Sequence, residues 1–455
     1  MRPAVIIGGG ISGLSAAYYL SRAGVRPTLI EREPRLGGVI QTETVAGCVL
    51  EAGPDSFLSV KPWAMDLIRE LGLAGEVIGS NDHLRVTYIR KRGGLVPLPD
   101  GLMLMIPTRI LPMVWTRLLS WPAKLRMGLE YFRRPLRAPR PDCSVAEFVT
   151  DHYGAEAVEY LAEPLLAGVY GGDPHKLSVV SVLPRFIELE SRYGSLTKGI
   201  LAERRRAAAQ SAPLFRTLKR GLGHLVEALQ AATNPAPEVV HGAAEVVERR
   251  GDGYGVRING EWLEAADVVL ACQAYQAGAL VEGLDPDLAA LLASVPYSSS
   301  MTIALGYEKA GFPHPLNGFG FLVPKRERWR LVACTWVGTK FSYRVPEGMV
   351  LLRCFLGGEE ASVLSESDDA LSVAVREELR EIMGLRVAPV FTRIARWPRS
   401  MAQYTVGHQN RVAQIEARLR QTPGLYLAGN AYYGIGIPDC IRMGKQAAER
   451  ITAQR

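Results

Sequence analysis

The apolar run Ala4-Val-Ile-Ile7 is short and uninterrupted, the pattern of a strand buried on both faces of a parallel sheet. A glycine-rich stretch follows, and the segment from Leu14 to Ala23 predicts a helix that Gly24 closes. Pro27-Thr-Leu-Ile30 predicts a second strand, ending at Glu31, so the chain opens on a βαβ unit. Near the other end, Leu425 to Ala428 reads as a strand, and Pro438 suits the first turn of a helix running to Ile451. Between these ends the pattern changes twice. Gly101 to Arg206 reads as helical, whereas Val295 to Arg393 carries strand-length runs at Gly318–Val323, Leu331–Val337 and Met349–Phe355. Two uncharged windows fail as spanning helices. Leu288 to Tyr307 contains Pro296 and three serines from Ser298, and Gln421 to Pro438 is broken by Gly424, Gly429, Gly434 and Gly436.

The 455 residues allow two or three domains at ~150 residues each. A hydrophobic share of 48% with 22% charged excludes a disordered chain, a collagen and a small disulfide scaffold. The net charge of +7 is concentrated in one place. Between Gly101 and Arg140, Arg109, Arg117, Lys124, Arg126, Arg133, Arg134, Arg137 and Arg140 face the single acid Glu130. With Trp115 and Trp121 among them, they predict basic amphipathic helices lying at an anionic membrane surface, hence peripheral contact through 101–140. The alternative is a helical subdomain with a solvated basic face; a nucleic-acid partner is not expected, because no recognition motif accompanies the charge. Six cysteines without a C-x-x-C spacing, and no secretory leader pattern before Ala4, predict reduced thiols and a cytoplasmic protein at the inner face of the cell membrane. The seven histidines are scattered, so no metal site is expected.

Gly8-Gly-Gly10-Ile11-Ser12-Gly13 is a G-x-G-x-x-G between the first strand and the first helix. Gly8 permits the turn, Gly10 admits a pyrophosphate to the backbone, and Gly13 lets helix and strand pack closely. The helix start offers N–H groups and a positive dipole end to the phosphates, and Glu31, following Gly13 by 18 residues, can bind ribose hydroxyls. Two further turns favour FAD over NAD: Glu31-Arg32-Glu-Pro-Arg35-Leu-Gly37-Gly38, with its basic side chains, and Gly53-Pro54-Asp55-Ser56. A long cofactor extended through a protein needs such added backbone contacts.

Three later stretches narrow the reading. They are Glu163-Pro-Leu-Leu-Ala-Gly168-Val-Tyr-Gly-Gly-Asp173; Arg396-Trp397 with Gln403-Tyr404-Thr-Val-Gly407-His408; and Leu427-Ala-Gly429-Asn430-Ala-Tyr-Tyr-Gly434-Ile435-Gly436-Ile437-Pro438-Asp439-Cys440. On them the chain resembles, from end to end, the flavin-containing amine oxidase superfamily and, within it, the protoporphyrinogen oxidase family of haem synthesis. It departs from that family at Ala402, where proline is frequent, at Tyr433, where a basic residue is frequent, and at Met443-Gly444 in place of Ser-Gly.

The resemblance implies an α/β protein: a discontinuous Rossmann-like FAD-binding domain with an inserted mixed-sheet substrate domain and an inserted helical membrane-binding region. The expected divisions are FAD-binding parts at 1–80, 207–294 and 394–455, substrate parts at 81–100 and 295–393, and the helical region at 101–206. It implies FAD contacts from the residues of the opening turns together with Ala244, Gly429, Asn430, Ile435, Gly436 and Ile437, the last three setting a helix N-terminus at the flavin's pyrimidine edge. Gly168, Leu322, Trp336 and Phe355 are implied as substrate lining. For the substrate's carboxylates, Arg90, Lys91, Arg92 and Arg109 are candidates without a preference, and no catalytic acid or base is assigned. The implied reaction is oxygen-dependent oxidation of protoporphyrinogen IX to protoporphyrin IX, by hydride transfer to flavin N5 with peroxide formed on reoxidation. Coproporphyrinogen III is the alternative substrate, and an amine oxidase, using Tyr432 and Tyr433 as an aromatic pair, or a flavin-bearing porphyrin carrier are the remaining readings. A homodimer is compatible with all of these.

Overall fold

The computed structural model describes residues 3–136, 138, 140–206, 213–358 and 361–454. They form two compact units, one of Met1–Gly79, Pro213–Pro296 and Gln409–Arg455, the other of Ser80–Ala212 and Tyr297–His408.

The first unit is built on a five-stranded parallel sheet. Its strands are β1 (Ala4–Ile7), β2 (Thr28–Glu31), β3 (Glu238–His241), β4 (Asp267–Leu270) and β5 (Leu425–Leu427), in the order β3-β2-β1-β4-β5. β1 lies at the centre, with Ile6 opposite Val269 on one side and Leu29 on the other, all three fully buried. The helix α1 (Ile11–Arg22) starts three residues earlier than its apolar pattern suggests, because the glycine turn runs straight into it. A Cβ on Gly13 would stand 1.9 Å from the Gly8 carbonyl oxygen, so helix and turn pack backbone to backbone. The helix α2 (Ile437–Ala453) follows β5 and buries Ile441, Met443, Ala447, Ala448 and Ile451. Gly444 lets it approach α1, since a Cβ there would come within 2.2 Å of the Ser12 carbonyl oxygen.

The second unit holds a seven-stranded mixed sheet in the order 391–402, 297–308, 349–358, 333–336, 320–322, 87–91, 94–97. All pairings are antiparallel except that of 320–322 with 87–91. One sheet face, with Met301, Ile303, Leu305, Leu352 and Cys354, packs on Leu371, Val375 and Leu379 of the helix Asp368–Met383. The strand Phe391–Ala402 continues past the division expected at 393/394, because nine of its residues pair with the strand Tyr297–Glu308, on both sides of a bulge. The helices between Ile110 and Arg206 belong to this same unit, so the helical region is not a separate body.

Candidate functional site

The turn after β1 is shaped by contacts that only glycine permits. Gly8 has φ +111°, and a Cβ there would meet the Ala271 carbonyl oxygen at 2.8 Å. Gly10 caps α1 with extended backbone and no side-chain cap, leaving the first-turn N–H groups without a partner from the helix. A Cβ on Gly10 would find no atom within 4 Å. That combination of uncapped donors and empty approach fits a pyrophosphate. Gly37 and Gly38 join this turn: the Gly37 N–H donates to the Gly9 carbonyl at 2.8 Å, and a Cβ on Gly38 would lie 3.1 Å from the Gly10 Cα. Glu31 sits at the end of β2, and its carboxylate accepts from the Gly9 N–H at 2.7 Å and the Glu33 N–H at 2.8 Å, which fixes it beside the turn.

The remaining expected cofactor residues lie in the same unit. Gly53 packs against the Val39 carbonyl, and Ser56 donates to Asp55 at 2.7 Å. Ala244 opens the strand Ala244–Arg250. Gly429 and Asn430 leave β5, and Gly436 caps α2 with no side-chain cap. Arg32 is exposed and paired with Glu33 at 3.4 Å. Arg35 plays a different part from the phosphate contact its basicity suggests. Its guanidinium donates to the Leu36, Gly38 and Ile40 carbonyls, so it braces the glycine turn.

In the second unit, Gly168 lies in the helix Glu163–Tyr170, and a Cβ there would be 3.3 Å from the Leu322 Cδ2. Leu322 pairs with Ala333, and Ala333 with Phe355, so Leu322 and Phe355 share one sheet face. Trp336 does not join them. It is 1% exposed on the opposite face, within the core cluster and against Tyr88 and His314, apart from the other residues expected to line the substrate. The sheet adds a cation that the sequence reading missed. Arg353 is 5% exposed, two residues from Phe355 on the same face, with its guanidinium carbon 4.5 Å from the Phe355 ring centre. An arginine within Met349-Val-Leu-Leu-Arg353-Cys-Phe355 was the available signal.

Three of the cations considered for the substrate are engaged within the protein. Arg90 pairs with Glu381 and Arg109 with Asp100, while Lys91 holds the Leu118 carbonyl at 2.6 Å and Glu156 at 3.3 Å. The first two later motifs turn out to bind each other. Gln403 donates to the Tyr170 carbonyl at 2.7 Å and to the Ser298 hydroxyl, and Ser178 N–H donates to the Tyr404 carbonyl. Tyr432 is buried and Tyr433 half-exposed, so the two rings do not share an environment.

Part of the basic segment is engaged within the protein. Arg133 and Arg140 both pair with Asp151, Arg140 also with Glu190, and Arg126 donates to the Thr150 carbonyl. Arg137 lies outside the described residues. What stands out of this segment is apolar: Ile110, Leu111, Trp115, Trp121, Leu125 and Phe132 are each at least 66% exposed. Among the described residues, no helix is long and apolar enough to cross a membrane.

The sequence profile of the family described as flavin containing amine oxidoreductase matches residues 11–452. The coproporphyrinogen III oxidase of Bacillus subtilis (strain 168) is 35% identical over 97% of this chain and 96% of its own. The chloroplastic protoporphyrinogen oxidase of Nicotiana tabacum is 26% identical over 98% and 85%. A crystal structure from Exiguobacterium sp. 255-15, provisionally named a protoporphyrinogen oxidase, superposes with a TM-score of 0.90 at 31% identity, covering 100% of this chain and 99% of that one. The chain therefore belongs to the flavin-containing amine oxidoreductase family. It is an oxidoreductase whose cofactor is FAD, and the glycine turns and uncapped helix starts of the first unit are the features that fit that cofactor.

Proposed function

We propose that the chain oxidises a porphyrinogen to a porphyrin with oxygen as acceptor, and that coproporphyrinogen III is its preferred substrate. The end-to-end likeness to the Bacillus coproporphyrinogen III oxidase carries this reading. It reverses the order expected from the sequence, where protoporphyrinogen IX came first; the plant relative with that substrate in its name is more distant. FAD, when bound, accepts two electrons as one hydride in each cycle, so the six-electron aromatisation takes three cycles.

The chain's own contributions are binding and orientation. The α1 start and Gly10 hold the pyrophosphate, Glu31 the ribose, and the Gly436 end of α2 the pyrimidine edge, where its N–H groups favour the negative charge that reduction brings. Gly168, Leu322 and Phe355 offer an apolar surface to the macrocycle, and Arg353 beside Phe355 is the cation for a propionate. Supplying each porphyrinogen in air and following porphyrin fluorescence tests the substrate. A higher kcat/KM for coproporphyrinogen III supports the reading, and a clear preference for protoporphyrinogen IX overturns its substrate half. Anaerobic addition should bleach the flavin; a flavin that stays yellow points to a carrier. Arg353→Met is expected to raise KM for coproporphyrinogen III by roughly tenfold, as a charged hydrogen bond contributes about 1.5–3 kcal/mol.

The exposed apolar side chains from Ile110 to Phe132 support peripheral contact with a membrane interface, where tryptophan is favoured. Arg133 is not the place to test it, since Asp151 engages it. Replacing Trp115, Trp121 and Phe132 together by serine is expected to abolish co-sedimentation with vesicles containing anionic lipid. Wild-type partition in that triple variant would sink the membrane contact.

A further inference from the structure

The first turn of α2 carries an acid where a reduced flavin is poorly served by one. Asp439 is the third residue after the Gly436 cap, and its side chain is 3% exposed. A carboxylate there complements the helix dipole and so stabilises the helix. The same charge opposes any anion brought to that helix end. Two cations answer it. Lys61 Nζ lies 2.5 Å from Asp439 Oδ2, and Arg442 stands 3.7 Å from Oδ1. Gly434 closes over the carboxylate, because a Cβ on it would fall 2.3 Å from the Asp439 Cγ. Arg442 is also held by the Tyr433 carbonyl at 3.0 Å and by the Trp63 ring, its guanidinium carbon 4.7 Å from the ring centre. Lys61, by contrast, is directed at Asp439 from the cap position of the helix Pro62–Glu70, 378 residues away in sequence.

Reduction of the flavin by two electrons and one proton leaves one negative charge on its ring system. With Lys61 and Arg442 against Asp439, the end of α2 has one positive charge in excess; without Lys61 it has none. We infer that Lys61 is a tuning residue that raises the reduction potential of the bound flavin by neutralising Asp439 at the α2 N-terminus. This rests on the proposed placement of the pyrimidine edge at that helix end. It assigns a task to a contact that joins the loop after Ser56 to the last motif, and it makes charge, rather than shape, the property that matters at position 61.

The test is an anaerobic dye-equilibrium titration of purified, FAD-loaded variants, with flavin content read from absorbance. Lys61→Met should lower the reduced-to-oxidised ratio at a fixed potential by roughly tenfold, about 30 mV for a two-electron couple. Lys61→Arg should keep the wild-type value, and Asp439→Asn should shift it the opposite way. The double variant Lys61→Met/Asp439→Asn should return most of the way, whereas a purely structural role would leave it as perturbed as Lys61→Met. An unshifted potential in both Lys61→Met and Asp439→Asn overturns the inference. Gly436→Val separates that failure from a failure of the underlying placement. If Gly436→Val leaves FAD affinity and spectrum unchanged, the flavin is not at this helix end. If Gly436→Val perturbs them while the two charge variants do nothing, only the role of Lys61 falls.

Discussion

Gly10→Val is expected to yield a folded but colourless protein, its FAD affinity lowered by at least ~100-fold, or about 2.7 kcal/mol. The expectation combines two observations at one position. Gly10 has φ −70°, which any residue adopts, and its missing Cβ points into open space, so the fold does not need the glycine. The pyrophosphate does need it, because a side chain would occupy the approach to the uncapped N–H groups of α1. Unfolding stability should stay within about 0.5 kcal/mol of wild type, as for a surface substitution. Gly13→Ala provides the contrast: its Cβ would stand 1.9 Å from the Gly8 carbonyl oxygen, so that variant should lose stability and cofactor together. Calorimetric titration of the apoprotein with FAD checks the pair. A yellow Gly10→Val protein of wild-type affinity would remove the pyrophosphate from this turn.

The second large effect concerns His152, buried in the helical part of the second unit. Its Nδ1 lies 3.0 Å from Glu130 and its Nε2 3.0 Å from Glu190, so the ring bridges the two carboxylates. Glu130 also accepts from the Ser195 hydroxyl and the Leu196 N–H, and Glu190 from Arg140. His152→Ala leaves two buried carboxylates facing a hole, a loss of about 3–5 kcal/mol. Denaturant unfolding followed in the far ultraviolet measures it; a loss below about 1 kcal/mol would show the cluster to be dispensable.

The same cluster gives the unit an acid limit. Burial pushes the Glu130 carboxyl up, but hydrogen bonds from His152, Thr197, Ser195 and Leu196 outweigh it and hold it below its ordinary 4.5. Glu190 is lowered in the same sense, burial being outweighed by His152 and Arg140. Asp151 is brought down to about 2 by Arg133 and Arg140 against the opposing effect of burial. Groups lowered in the folded state stabilise it above their unfolded values and cease to do so as pH falls through their folded ones. Stability should therefore decline from about pH 4.5 towards about pH 2, and the His152→Ala protein should show a weaker decline. A group of Asp151, His152 and Glu190 also has the spacing of metal ligands, but Arg133 and Arg140 already occupy Asp151 and Glu190. The cluster reads as an ion-pair network rather than a metal centre.

These residues show where a sequence stops being legible. The opening unit could be read directly, because Gly8, Gly10, Gly13 and Glu31 act within one turn, one helix and one strand, and their spacing is fixed by local stereochemistry. The helix that starts at Gly436 was visible for the same reason, from Pro438 and the glycines before it. The face on which Trp336 lies was not. Leu331-Val-Ala-Cys-Thr-Trp336-Val does not alternate cleanly, so only the packing of Cys334 and Trp336 in the core, with Ala333 beside Phe355, decides between the two sides. Arg353 became a candidate only when strand pairing placed it with Leu322 and Phe355.

The basic segment followed the same rule. Its charge was evident in the sequence, but the acids Asp151 and Glu190 that pair with Arg133 and Arg140 come from later helices and could not be matched to them from local spacing. By itself the sequence determined a dinucleotide-type turn, a flavin family and an inserted, mostly helical stretch, because those depend on local backbone geometry and short spacings. Tertiary structure alone decided which side chains share a face and which charges find partners, since contacts such as Lys61 with Asp439 join residues that no local pattern connects.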